Sequence, residues 1–199
     1  MHCEYCGESA VYRCCVCGRP VCSRHTRLGT ICPSCTRKAT VKFAVHRATS
    51  NKEKEKVKEL VKRFWGEEEQ LTFNRKFFVA ELPAYVAKVR EDVVGFVSFA
   101  DLDNSLVIVA LGILPKYQNA GIGRSLMKKV EAEAEKLRKK RLLVSTSNDD
   151  LPALAFYQSL GFQIFEVKPN VIAKKHGEVL SGIGGLPIRD ELRLQKILA

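Results

Sequence analysis

All eight cysteines of this chain fall before residue 36, and none follows in the rest of its 199 residues. They come at a repeated spacing: Cys3-x2-Cys6, Cys14-x2-Cys17, Cys22-x2-His25 and Cys32-x2-Cys35. A two-residue gap lets one tight turn aim both side chains at one ion, and eight sulfur or nitrogen donors suffice for two tetrahedral zinc ions. Few apolar side chains (Val11, Val16, Val21, Ile31) are available there, too few to fold the segment without metal or cross-links. The start MHCEYC has no basic-then-apolar leader, and no apolar run approaches the roughly 20 residues that span a bilayer. We therefore expect a cytoplasmic protein without a membrane segment. In a reducing compartment this spacing reads as metal ligation rather than a disulfide framework. Cys15 is the spare thiol, since using it with Cys17 would shorten the gap by one residue.

The intervals between donors run 2, 7, 2, 4, 2, 6 and 2. That series resembles the B-box type of zinc finger, although B-boxes often carry histidine in the first and last pairs. The resemblance implies interleaved ligation, with Cys3, Cys6, Cys22 and His25 at one site and Cys14, Cys17, Cys32 and Cys35 at the other. A sequential grouping, 3/6/14/17 and 22/25/32/35, stays open. Residues 1–40 carry six cations and two anions. Seven bound thiolates against two zinc ions would leave that module near neutral. Nucleic-acid affinity rests mainly on counterion release, so this charge points away from nucleic acid and toward protein contact or a structural cap. Composition thus divides the chain into a two-zinc domain, 1–40, and a conventional domain, 41–199. Most of the net charge of +11 belongs to the second part, with 27 cations and 20 anions. KLRKKR (136–141) and the KEKEKVK run read as solvated helix faces.

From residue 41 the pattern is mixed α/β. VKFAVHRAT alternates like a half-buried strand, with His46 on its outer side. Ser50 and Glu53 fit a capping box for a helix bearing Val57, Leu60, Val61 and Phe64 on one face. AYVAKVRED and VVGFVSFAD read as a hairpin turning at Glu91-Asp92. SLVIVALGI (Ser105–Ile113) is a continuous apolar run, hence a central strand, and Gly112 marks a bulge or close backbone approach. A helix follows Gly121, with Ile122, Leu126, Val130, Ala134 and Leu137 on its inner face. RLLVSTS is a strand, LPALAFYQSL a helix with Pro152 in its first turn, and FQIFEV a strand. The turn in GIGGLPIRDELRLQKIL leads to a last strand, Glu191 to Ile197.

Between the central strand and its helix lies YQNAGIGRSL. A helix N-terminus offers unpaired backbone N–H groups and a positive dipole end, and Gly121 and Gly123 let a phosphate approach them. The loop carries Gln-x-x-Gly-x-Gly (Gln118, Gly121, Gly123), and thirty-odd residues later comes FYQSLGF (Phe156–Phe162). In this order and spacing the two resemble the acetyl-CoA signature and second motif of the GNAT N-acetyltransferases, over roughly residues 42–199. The closing GLPIRDELRL resembles one bacterial and archaeal subset.

The resemblance implies an acyl-CoA N-acyltransferase fold, a central mixed sheet flanked by helices. It also implies direct transfer from acetyl-CoA to an amine. Backbone amides of Gln118, Asn119, Ala120, Gly121, Ile122, Gly123, Arg124 and Ser125 would hold the pyrophosphate of CoA. The strand end, Leu111, Gly112, Ile113 and Leu114, would pair with the pantetheine arm. Tyr157 would protonate the departing thiolate, as a phenol that stays protonated at neutral pH can do. Where the family often has a pantetheine-touching asparagine this chain has Asp150, with Asn148 as its substitute. No acid lies on SLVIVALGI, so Asp101, Asp103, Glu81 and Glu178 remain as bases, each equally readable as a solvated surface residue. An interaction module suits a protein or peptide acceptor. The alternative reading is a non-catalytic acetyl-CoA sensor or scaffold that uses the zinc finger for protein contact.

Overall fold

The computed structural model describes residues 1–14, 18–26, 31–36 and 41–198. Cys15 and Cys17 lie outside them. The chain divides into two compact units, one of residues 1–38, 146–161 and 166–192, the other of 39–145, 162–165 and 193–199.

In the first unit β1 (Tyr12–Arg13) pairs antiparallel with β2 (Pro20–Val21), and α1 (Pro33–Thr36) is one short turn. The second unit begins with β3 (Ala44–Arg47) and α2 (Asn51–Trp65), then a hairpin of β4 (Glu69–Thr72) and β5 (Arg75–Phe78). It continues through β6 (Ala84–Val89), β7 (Asp92–Leu102), β8 (Ser105–Ile113) and α3 (Ile122–Lys136). Three strands have parts in both units: β9 (Arg141–Ser147), β10 (Gln163–Lys168) and β13 (Glu191–Ile197). Between them come α4 (Leu151–Gln158), α5 (Val171–His176), β11 (Leu180–Ser181) and β12 (Pro187–Ile188), all in the first unit.

The main sheet has seven strands in the order β10-β13-β9-β8-β7-β6-β3. Its β3–β6, β6–β7 and β7–β8 pairs are antiparallel and β8–β9 is parallel, as a mixed sheet requires. Helix α2 begins as the sequence predicts: Ser50 Oγ accepts the Glu53 N–H at 3.3 Å, and Glu53 accepts from the Ser50 N–H at 3.4 Å. His46 and Glu53 lie 2.7 Å apart, which ties β3 to the first turn of α2. The helix ends at Gly66, whose φ of 75° is the left-handed cap conformation. Val57, Leu60 and Val61 then pack against Val86, Phe96 and Ala110 of the sheet. The opposite face takes α3, because Tyr85, the strand neighbour of Val86, donates to Glu133 of that helix at 3.1 Å.

Two expectations need correction. Leu137 is 42% exposed at the end of α3, where the helix has stopped and its inner face no longer covers the sheet. Asp92 belongs to β7; the turn lies at Arg90-Glu91, with Arg90 in the left-handed region at φ 55°. No helix among the described residues is long and apolar enough to cross a membrane.

Candidate active site and metal centre

Strand β8 is buried for most of its length and carries no acid. Its antiparallel pairing with β7 runs to Gly95↔Ile113, whereas its parallel pairing with β9 ends at Ile108↔Val144. Leu111–Ile113 therefore lie beyond the last β8–β9 pair. Gly112 is the close approach foreseen from sequence: a Cβ there would lie 2.6 Å from the Phe64 ring and 3.1 Å from Phe96. Past Leu114 the chain makes a 3-10 turn, Pro115–Tyr117, and Gln118 reaches back to donate to Ile113 O at 3.0 Å. Asn119, at φ 64°, and Gly121, at φ 84°, both take the left-handed conformation. Gly121 has nothing within 4 Å of where a Cβ would sit, so it is glycine for its backbone angle rather than for crowding.

Gly121 caps α3 without a side-chain hydrogen bond, unlike Ser50 on α2 and Asp150 on α4. The intrahelical ladder starts only at Ser125 N–H to Gly121 O, 3.1 Å. The N–H groups of Ile122, Gly123 and Arg124 precede that first bond and point out of the positive end of a 15-residue helix. The start of the helix is thus suited to an anion, whereas two of the predicted amides are already engaged, Gln118 N–H by Pro115 O at 3.3 Å and Ser125 N–H by Gly121 O.

The other predicted residues surround the start of α4 in the first unit. Asp150 Oδ1 accepts the Ala153 N–H at 3.0 Å and caps the helix. Burial pushes its carboxyl above the usual range, against the pull of that N–H. Tyr157 is 6% exposed, with Phe156 edge-on at 5.4 Å. Burial first, and the Asp150 charge second, raise its hydroxyl above the ordinary tyrosine value. Asn148 is engaged at both ends of its amide by residues 187–190. Between them lies Asp149, 4% exposed, which sequence reasoning passed over because nothing local marks which acid of Asn148-Asp149-Asp150 turns inward. Of the other acids weighed, Asp101 pairs with Lys139, Asp103 sits in the left-handed β7–β8 turn, and Glu178 is exposed. Glu81 lines a cavity of about 290 Å³ with Arg47 and Lys54.

The cysteines form two clusters. The donor atoms of Cys3, Cys6, Cys22 and His25 all lie within 4.8 Å of one another, and so do those of Cys14, Cys32 and Cys35. Each is a set that can hold a metal ion. Cys22 Sγ is 3.3 Å from His25 Nδ1, and Cys6 and Cys22 sulfurs are 3.7 Å apart, far beyond a disulfide bond. The first pair thus meets the third, and Cys14 of the second meets the fourth, as the interleaved grouping expects; Cys17 lies outside the described residues. The turns explain it locally. Gly7 N–H bonds Cys3 O at 2.9 Å and Gly18 N–H bonds Cys14 O at 2.8 Å, both glycines being left-handed. The His25 hydrogen bond pulls the Cys22 thiol down to about 6 against burial. Burial pushes Cys32 up, but hydrogen bonds from Tyr5, Cys35 and Cys14 outweigh it and bring it to about 6. Both thiols therefore ionise readily near neutrality, as metal binding needs.

Residues 53–162 match the model of the Acetyltransferase (GNAT) family. The chain belongs to this family. It is 30% identical over 144 residues to the Uncharacterized protein YdhI of Bacillus subtilis (strain 168), a match spanning 68% of this chain and 87% of that one. Its fold is similar to that of the IAA acetyltransferase from Bacillus cereus ATCC 14579, with TM-score 0.66 and 24% identity over 79% of this chain and 100% of that one. A GNAT family acetyltransferase from Elizabethkingia anophelis with acetyl-CoA bound is similar at TM-score 0.60 and 22% identity, over 78% and 98% of the two chains. The protein is a GNAT acetyltransferase, an enzyme of acetyl-CoA-dependent N-acetylation. Its cysteine-rich segment lies outside the matched residues.

Proposed function

We propose that this acetyltransferase acts on amines of proteins or peptides and that its N-terminal 40 residues form a two-zinc domain that contacts a protein. The observation carrying the catalytic part is the start of α3, which no side chain caps. Its first N–H groups hold the CoA pyrophosphate, and Leu111–Leu114 pair with the pantetheine arm. The amine attacks the thioester carbonyl, the new C–N bond forms, and the C–S bond breaks. Tyr157 gives its hydroxyl proton to the departing thiolate, and the proton that the nitrogen sheds on becoming an amide restores the phenol through solvent. Asp150 sets the start of the helix that carries Tyr157. Asn148 supports the same loop from the side of residues 187–190, and its engagement there leaves the pantetheine contact to the main chain.

Zinc fits the donor chemistry of the clusters: thiols, of which Cys22 and Cys32 are drawn toward ionisation, one histidine, and no carboxylate among the grouped residues. Cys3, Cys6, Cys22 and His25 hold one ion and Cys14, Cys17, Cys32 and Cys35 the other, each in a structural role. A protein acceptor follows from the pairing of such a module with a transferase, since a second contact surface serves a macromolecular substrate.

Free-thiol release from acetyl-CoA with a panel of amines and peptides tests the reading. Tyr157→Phe should bind acetyl-CoA as before and release thiol at least about a hundredfold more slowly, in the range of a lost general acid. Undiminished release would remove Tyr157 from the reaction. Metal analysis should find about two zinc ions per chain.

A further inference from the structure

Asn148-Asp149 and the Gly-x-x-x-x-Pro-Ile-Arg-Asp of 182–190 form a single clip within the first unit. Asn148 N–H donates to Asp190 O at 3.1 Å, and its Nδ2 donates to Pro187 O at 2.7 Å. Asn148 Oδ1 accepts the N–H groups of Arg189 and Asp190 at 2.9 and 2.8 Å. Asp149 Oδ2 accepts the Ile183 N–H at 3.0 Å. Gly182 lets the loop close that tightly, because a Cβ there would lie 2.1 Å from the same carboxylate oxygen.

One polar atom of the clip is left over. Asp149 Oδ1 is buried and has no hydrogen-bond partner among the described residues, on a residue only 4% exposed. A buried acceptor without a donor is costly, and a carboxylate more so than a neutral group. The other oxygen of Asp149 is held by the main chain. Asp149 stands one residue before the cap of α4, the helix bearing Tyr157. A cationic N–H donor relieves a buried carboxylate better than a neutral amide would, which separates an ammonium group from the amides of a pantetheine arm.

We propose that Asp149 Oδ1 accepts an N–H of the substrate amine, making Asp149 the acceptor-binding carboxylate and a primary ammonium group its ligand. This rests on amine acetylation as read above and adds the residue that meets the acceptor. Asp149→Asn keeps the Ile183 bond through its amide oxygen and presents NH2 where the acceptor would sit. KM for n-butylamine and for a lysine-containing hexapeptide should rise about tenfold to a hundredfold, with Kd for acetyl-CoA unchanged. A weaker Kd for acetyl-CoA with an unmoved amine KM overturns the proposal, as does no change in either.

A second measurement needs neither turnover nor a variant. In the full-length protein with CoA, the Ile183 amide resonance reports on the carboxylate it bonds. n-Butylammonium should shift that resonance saturably, and tetramethylammonium, of equal charge but without an N–H, should not. No shift, or the same shift with both, overturns the proposal. If no probe is acetylated the protein-amine reading fails, and this titration still decides the role of Asp149.

Discussion

Tyr157 shows how one residue's surroundings fix what it can do. Nearly all of its surface is covered, and burial acts together with the Asp150 charge to hold its proton. Its pKa is raised above the ordinary value of about 10, so the acid form persists through the range where an exposed tyrosine would be lost. The pH profile of kcat should therefore rise as the acceptor amine loses its proton and show no decline by pH 10. A decline centred near pH 10 would place the essential proton on an exposed phenol instead. The tyrosine itself was legible, because a seven-residue motif names it. Asn148 was not: its amide meets residues 187–190, some forty positions away, a pairing that no local pattern encodes. Asp149 was hidden for the same reason, since its burial is set by Gly182 and Ile183 rather than by its neighbours.

At the level of elements, legibility followed the strength of the periodic signal. SLVIVALGI became β8 with the expected ends, and ELRLQKI became β13. The β4–β5 hairpin was missed because EEEQLTFNRKFF is charged at one end and aromatic at the other, with no clean alternation. Its turn did carry a signal: Phe73 and Asn74 sit at φ 50° and 60°, and asparagine favours that left-handed region. Helix α5 has only six residues, too few for a period to show; Asn170 and Gly177 at its ends were the available marks. Where a cap is written in the sequence, the energetics can be predicted. Ser50→Ala should lower stability by about 1 kcal/mol. Glu53 is held down to about 2, from an ordinary 4.5, first by His46 and then by the N–H groups of Thr49 and Ser50. A depressed carboxyl stabilises the fold fully above its unfolded pKa and loses that effect as pH falls through its folded one. Urea melts should thus show Glu53→Gln less stable than the parent at pH 6. The gap should close between pH 4.5 and 2, and a gap independent of pH would mean that Glu53 acts through packing alone.

For the whole molecule the question is what holds residues 1–36 folded. Their buried apolar core among the described residues is Cys14, Val21 and Cys32, with Tyr5, Ile31 and Cys35 partly covered, and Val11 is 69% exposed. Half of that core is sulfur already grouped for metal. Such a cluster cannot offset the backbone entropy of ordering three dozen residues, whereas structural zinc contributes about 10–16 kcal/mol in isolated finger peptides. The main sheet has an independent source of stability in Val57, Leu60, Val61, Val86, Phe96 and Ala110. The break in cysteine use after Cys35 is visible in the sequence. The grouping of 1–38 with 146–161 and 166–192 was not visible, because it depends on contacts between distant stretches. Chelation should therefore abolish hydrogen-exchange protection in residues 1–36 and expose them to protease. The protection of β7 and β8 and the Kd for acetyl-CoA should stay as they were. If the sheet loses protection together with the cysteines, the N-terminal segment is not a separately folding domain, and its metal stabilises the transferase as a whole.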